Sequence, residues 1–476
     1  MKHLTAVMIR MAMPITSAMT MPISAAMCTS PFRKAMISST NDADAAVAVA
    51  AVSAYAAVIP GIICILHSLF CVGSTRSYLH YTRYAAGMLP QFSGAAMELY
   101  VHLPYCRQKC RYCDFASYPC RESTMPAYVD ALLAEADALK PRAEGASLST
   151  LFLGGGTPSL LPPGLLERLL NGLAARFPRD ADAEFTSEAN PGTLTREWLE
   201  AARAGGVNRL SLGMQAYQPE LLRTLGRIHS HDQVIESVQA ARQTGFRNIN
   251  LDLMFGLPGQ TRAQWLETLQ QALALEPEHL SCYGLIPEDG TPLFRDLESG
   301  RLTLPDEGEE RRMYDDALEL LARRGYVQYE ISNFALPGRE CRHNIGYWEQ
   351  APYIGLGASA ASMLPDGRGE VRMTNPALID DYLLMVQEGR WSMRENTLVT
   401  PEDARFETLM LGLRMTRGVS ESAFSARHGA TLESCYGERL RSLAARGLME
   451  YAGGFWRLTR RGMDVQNAIL VELMDD

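Results

Sequence analysis

The chain has 476 residues, 47% of them apolar and 21% charged, an ordinary balance for globular protein and enough length for two or three domains with sizeable cores. A net charge of -9, spread along the chain, gives no phosphate-tracking surface and argues against nucleic acid as the partner. Ten cysteines are too sparse for a disulfide framework, and the close group from Cys106 to Cys113 points to metal chemistry in a reducing, cytoplasmic setting.

Residues 1–96 differ in kind from the rest of the chain. Methionine recurs, the first acidic residue is Asp42, and residues 45–75 contain no Asp, Glu, Lys or Arg. That apolar run is long enough to span a bilayer, so a membrane anchor or export signal is one reading. A leader that is disordered or directs the chain to an organelle is a second. A third is that translation starts at Met88 or Met97, because the run is Ala-rich, interrupted by Pro60 and Gly61, and only weakly hydrophobic.

From Met97 onward short apolar or β-branched runs alternate with longer helical periodicity. Strands are predicted over 98–105, 149–155, 183–190, 209–215, 248–257 and 279–286. Helices are predicted over 125–139, 163–177, 195–206, 219–227, 231–245, 262–275 and 309–325. Six such β/α units predict a parallel α/β barrel, partial or full, over 97–330, in preference to an open doubly wound sheet. Cys106 to Cys113, the "GGGTPS" run, Glu188, Gln215 and Asp252 fall at or near the C-terminal ends of successive predicted strands, where β/α barrels build active sites.

After residue 330 the pattern changes. Residues 328–362 are rich in aromatics, Gly and Pro and lack helical period, which predicts irregular or edge structure beside the barrel within a connecting region, 331–395. Residues 396–476 then read as three helices and a small hairpin, a winged-helix-like α+β domain. Its one basic stretch, "RLTRRG", is short, so a packing role is expected in place of DNA binding.

Cys106, Cys110 and Cys113 form C-x3-C-x2-C. The spacing differs from the paired C-x2-C knuckles of zinc ribbons, and no second pair is found downstream. Three thiolates on an iron-sulfur cluster leave one iron for a non-protein ligand. Cys120 as a fourth ligand, zinc, and free loop thiols are the competing readings.

With Tyr112 before the last cysteine and "LYVHLPYC" leading in, the motif resembles the signature of the radical S-adenosylmethionine superfamily. The resemblance implies a 4Fe-4S cluster on Cys106, Cys110 and Cys113, whose fourth iron is chelated by S-adenosylmethionine, and reductive cleavage of the sulfonium to a 5'-deoxyadenosyl radical. It further implies that Gly155, Gly156 and Thr157 hold the methionine end of that cofactor. Glu188, Gln215, Arg227 and Asp252, with Tyr100 and Tyr112 near the cluster, match cofactor-contacting positions of the oxygen-independent coproporphyrinogen oxidase group.

The dehydrogenases of that group carry another cysteine two residues after the third; here Phe115 stands there. "HNIGYW" matches the H-N-x-x-Y-W mark of the related HemW heme-chaperone family, and the likeness runs from about Met97 to the C-terminus. It implies a carrier that binds heme through His343, Asn344, Tyr347 and Trp348, with Cys341 a possible second contact. A heme-acceptor protein and an electron donor are then its partners, and membrane contact comes through the acceptor. By residue chemistry alone His343 reads more readily as a buried core histidine between packing aromatics, and it is the family motif that favours the heme role. The alternative activity is radical oxidation of coproporphyrinogen III.

Overall fold

The computed structural model describes residues 96–366 and 369–474, so the expectations for residues 1–95, including the apolar run 45–75, lie outside the described residues. No helix among the described residues is long and apolar enough to cross a membrane.

Strands β1 (Ala96–Leu103), β2 (Ser147–Gly155), β3 (Arg179–Ala189), β4 (Arg209–Gln215), β5 (Ile249–Phe255) and β6 (His279–Gly284) lie side by side in sequence order, all parallel. The order never reverses, as it does in a doubly wound sheet, so the six strands form the expected partial barrel. Strands covered on both faces carry near-continuous apolar runs, and β4 "RLSLGMQ" is buried at every residue.

Helices α1 (Met125–Leu139), α2 (Pro163–Ala174), α3 (Arg196–Ala204), α4 (Pro219–Leu225), α5 (His231–Gln243) and α6 (Arg262–Leu273) connect successive strands; α7 (Pro292–Glu298) and α8 (Glu307–Arg323) close the unit. The longer ones lay an apolar stripe on the sheet, such as Tyr128, Val129, Leu132, Ala136 and Leu139 of α1. Ser230 with Gln233 and Thr261 with Gln264 form capping boxes that start α5 and α6.

The connecting region forms edge structure on both sides of the barrel sheet, as expected, and adds a helix that the pattern did not show. Strand β8 (Asn333–Ala335) runs antiparallel between β6 and β7 (Val327–Gln328), and β7 forms the edge of the sheet. Residues Arg342–Trp348 then form a helix, α9, with five of its seven residues buried, and β9 (Tyr353–Leu356) pairs parallel with β1, lengthening the barrel sheet at its first edge. Strands β10 (Ala361–Asp366), β11 (Gly369–Thr374) and β12 (Glu395–Val399) continue antiparallel outward, with α10 (Ile379–Gln387) between the last two. Helix α9 had no sequence signal because its N-terminus is not capped by its own residues. The Glu184 carboxylate on β3 accepts from the Arg342 and His343 backbone N–H groups at 3.1 and 3.2 Å.

The C-terminal part matches the predicted order. Helices α11 (Pro401–Gly412), α12 (Glu421–His428) and α13 (Leu432–Ala445) precede the hairpin β14 (Met449–Ala452) and β15 (Phe455–Leu458). A third short strand, β13 (Val419–Ser420), completes the sheet, and α14 (Arg460–Asp464) and α15 (Gln466–Met474) extend beyond the predicted hairpin. Leu409, Phe424, Leu440, Leu443 and Leu470 build a core of its own.

Candidate cofactor site

The chain leaves β1 at Leu103 and forms the cysteine loop over the C-terminal mouth of the barrel. The Gly156 and Thr157 N–H groups after β2 donate to the Leu103 and Tyr105 carbonyls at 2.9 and 2.7 Å. Arg111 N–H donates to Leu225 O at 2.9 Å, its guanidinium pairs with Asp296, and Lys109 Nζ donates to Phe115 O at 2.8 Å. The loop is thus fastened to the ends of β2 and α4 and to α7.

Cys106 and Cys110 both touch a polar chain that joins three strand ends. Thr157 Oγ1 lies 3.6 Å from Cys106 Sγ, and Asn190 Nδ2 donates to Thr157 Oγ1 at 2.8 Å. Arg227 Nη2 donates to Asn190 Oδ1 and to Gly213 O at 2.7 Å, while its Nη1 lies 3.6 Å from Cys110 Sγ. Burial raises the Cys106 thiol above its ordinary pKa and, with Cys110 beside it, pushes Cys113 up to about 12. Three thiolates here need a compensating cationic body. Among the described residues no trio of His, Cys, Asp or Glu is gathered to hold a single metal ion. Three partly buried thiols on one short loop are the donor set that a 4Fe-4S cluster takes, so the loop fits the cluster.

Beyond Cys113 lies a cleft walled by Tyr112, Phe115, Gln215, Asp252, Met254 and Tyr283. Gln215 ends β4 with φ of 62°, in the left-handed region, at the strand-to-helix break. Asp252 stands in the middle of β5, not at its end, and accepts from Asn250 Nδ2 at 2.8 Å and Ser211 Oγ at 3.0 Å. Glu188, near the end of β3, accepts from the Gly155 N–H at 3.1 Å. Desolvation first, then the charge of Asp252, pushes Glu188 up to about 8. Burial likewise raises Asp252 and Tyr112. Asp252 and Gln215 in the cleft wall, with Glu188 close enough to feel the charge of Asp252, suit a nucleoside with hydroxyls and a cationic tail beside apolar walls.

The glycines also make close contacts within the protein. Gly155 has φ of 104°, and a Cβ there would lie 2.4 Å from the His102 ring; one on Gly156 would lie 2.6 Å from Tyr105 O. Their bareness lets the protein pack closely on itself at the end of β2. His102 was not foreseen. Its Nε2 donates to Ala116 O at 2.8 Å, leaving Nδ1 to accept from Tyr100 OH at 3.0 Å, so Tyr100 supports the cysteine loop from below. Burial lowers the His102 pKa to about 4 and keeps the ring neutral. Asn190 was missed as well; its only signal was its place in "SEANPGT".

His343, Asn344, Tyr347 and Trp348 lie apart from this cleft, on α9. His343 is wholly buried, its Nδ1 hydrogen bonded to Thr150 Oγ1 at 2.6 Å. Its ring stacks on Phe152 at 5.1 Å and meets Tyr347 edge-on at 4.8 Å. Burial, then Arg209, lowers its pKa to about 3, so the imidazole is neutral. Trp348 packs on Met415, with the Arg414 guanidinium 4.8 Å above its ring. His343 Nε2, Asn344 Oδ1, Tyr347 OH, Trp348 Nε1 and, from β1, Glu98 Oε2 have no hydrogen-bond partner among protein atoms. Five orphaned buried polar atoms around one short helix are a costly concentration. In this conformation the four residues do not fit a porphyrin, because His343 is wholly buried and its Nε2, the atom that would meet the iron, is enclosed by protein. Cys341 is buried beneath them, its thiol on Glu184 Oε1 at 3.5 Å.

The chain matches the model of the radical SAM superfamily over residues 100–272 and that of the HemN C-terminal domain over residues 399–465. It is 37% identical to the heme chaperone HemW of Bacillus subtilis, the alignment covering 78% of this chain and 97% of that protein. It is also 37% identical to the heme chaperone HemW of Escherichia coli, over 79% and 97%. Among solved structures it resembles the coproporphyrinogen III oxidase HemN of Escherichia coli, described as a radical SAM enzyme, with a TM-score of 0.70 and 25% identity over 81% of this chain and 91% of that one.

Proposed function

Because the chain belongs to the HemW family of heme chaperones, we propose that it binds heme and passes it to acceptor proteins while carrying a 4Fe-4S cluster and S-adenosylmethionine. The observation that carries this reading is the cysteine loop: three thiols, seated over the barrel mouth, with an acid-lined cleft opening beside Cys113. Cys106, Cys110 and Cys113 would hold the cluster. The cluster, when bound, supplies an electron to the cofactor's sulfonium.

The chain's own side chains bind, orient and shield. Arg227 and Thr157 donate towards the sulfurs of Cys110 and Cys106, which stabilises sulfur-borne negative charge. Glu188, Asp252 and Gln215 bind and orient the cofactor's hydroxyls and cationic end, and Tyr112, Met254 and Tyr283 keep water from its apolar edge. Tyr100 fixes His102, and with it the loop. Residues 97–330 form the cofactor domain, 331–395 the connecting region with the H-N-x-x-Y-W helix, and 396–476 the winged-helix-like domain.

We assign the heme to the region of α9, with the neutral imidazole of His343 the iron ligand once α9 lifts from its present seat. The acceptor, a heme protein, and an electron donor complete the partners, with action in the reducing cytoplasm and membrane contact through the acceptor. Anaerobic reconstitution tests the first step: the wild type takes up iron and sulfide with 4Fe-4S absorbance, and Cys106→Ala, Cys110→Ala and Cys113→Ala each abolish it. Stoichiometric zinc in its place contradicts the reading.

A further inference from the structure

Between the cofactor cleft and α9 the barrel interior holds a continuous hydrogen-bonded chain with a fixed direction. Asn250 Nδ2 lies 2.8 Å from both Asp252 Oδ1 and Ser211 Oγ, and facing a carboxylate it must be the amide nitrogen. Asn250 Oδ1 therefore accepts from His279 Nδ1 at 2.6 Å. Burial, then Arg209, keeps His279 neutral, so with Nδ1 protonated its Nε2 accepts from Tyr329 OH at 2.8 Å. The Tyr329 oxygen in turn accepts from the backbone N–H of Cys341 at 3.2 Å, the residue that starts α9. Every donor points towards Asp252. Asn250, His279, Tyr329 and Cys341 are all buried.

A one-way chain ending on a carboxylate is mutually strengthening, since each acceptor is polarised by the next bond along. A ligand hydroxyl or ammonium that donates to Asp252 competes at the head of the chain and weakens every link behind it. The last link holds Cys341, and α9 carries orphaned polar side chains that gain partners if it shifts.

We propose that His279 and Tyr329 are positioning residues that couple the cofactor cleft to α9, so that S-adenosylmethionine at Asp252 loosens the seat of α9 and opens His343 to heme. This rests on the heme and cofactor assignments above, so one arm of the test uses no heme. Hydrogen exchange followed by mass spectrometry over residues 341–348 of the reconstituted protein reads the helix directly. Adding S-adenosylmethionine speeds exchange there by about fivefold or more, the size of an ordinary allosteric coupling. In Tyr329→Phe the exchange is already fast and the cofactor adds nothing, while the EPR spectrum of the reduced cluster still changes on adding S-adenosylmethionine. Should Tyr329→Phe fold poorly, His279→Asn retains the contact to Asn250, severs Tyr329, and gives the same result. Unchanged or slowed exchange in the wild type, or an undiminished response in the severed variant, overturns the coupling.

The heme arm is separate. The heme Kd falls about fivefold or more with S-adenosylmethionine in the wild type and is unmoved by it in Tyr329→Phe. If the exchange response stands but His343→Ala binds heme as the wild type does, the heme assignment fails and the coupling survives.

Discussion

Glu188 shows how much one carboxyl can report. With its pKa pushed up to about 8 by burial and by Asp252, it is mostly protonated near neutral pH. A cationic ligand in the cleft favours its ionised form, so binding expels the proton. Affinity for S-adenosylmethionine should therefore rise as pH climbs towards about 8 and level off above it. Calorimetric titration in two buffers of different ionisation enthalpy should show close to one proton more released near neutral pH by the wild type than by Glu188→Gln. The residue itself was legible in "SEANPGT", as were the three cysteines, Thr157 and Gln215, because a strand end followed by an out-of-place polar residue is visible in one dimension; Asp252, in mid-strand, and Arg227, after a helix, were marked by the family resemblance. His102, Asn190 and Arg209 were not legible. Their importance comes from partners 14 to 134 residues away, such as Ala116, Thr157 and His343, and nothing local marks them.

Among the elements, those with a strong period were read almost to the residue: α1 over Met125–Leu139 and β4 over Arg209–Gln215 coincide with their predicted ranges. Helix α9 and strand β9 escaped because tertiary contacts make them. Glu184 caps the one and β1 pairs the other. Glu135 on α1 has a similar uniting role for the region beyond β9. Wholly buried, it accepts from Arg394 Nη2 at 2.6 Å, Asn375 Nδ2 at 2.7 Å, and Tyr382 OH and Gly357 N–H at 2.8 Å. Removing it strands a buried guanidinium, so Glu135→Ala should destabilise the protein by about 3–5 kcal/mol. Denaturant titration of the cluster-free protein checks this; a loss below about 1 kcal/mol would mean that water replaces the carboxylate. The variant should leave the cysteine loop intact, since none of its contacts reach it.

For the whole molecule the division of labour maps onto the two ends of the polar interior. The barrel mouth gathers sulfur and carboxylates, and α9 joins the barrel core to the C-terminal domain through Trp348. The same scaffold serves the coproporphyrinogen oxidase it resembles, so fold alone does not decide between oxidising a porphyrinogen and carrying a heme. Phe115 and the H-N-x-x-Y-W helix favour the carrier. Incubation with coproporphyrinogen III, a reductant and S-adenosylmethionine should give no protoporphyrinogen by chromatography. The most direct measurement is a heme titration of the anaerobically reconstituted protein, followed by its Soret band, with an apo heme protein added at the end. A heme carrier saturates at one heme per chain and transfers that heme to the acceptor. An unchanged Soret band, together with turnover of coproporphyrinogen by the same preparation, would contradict the carrier role.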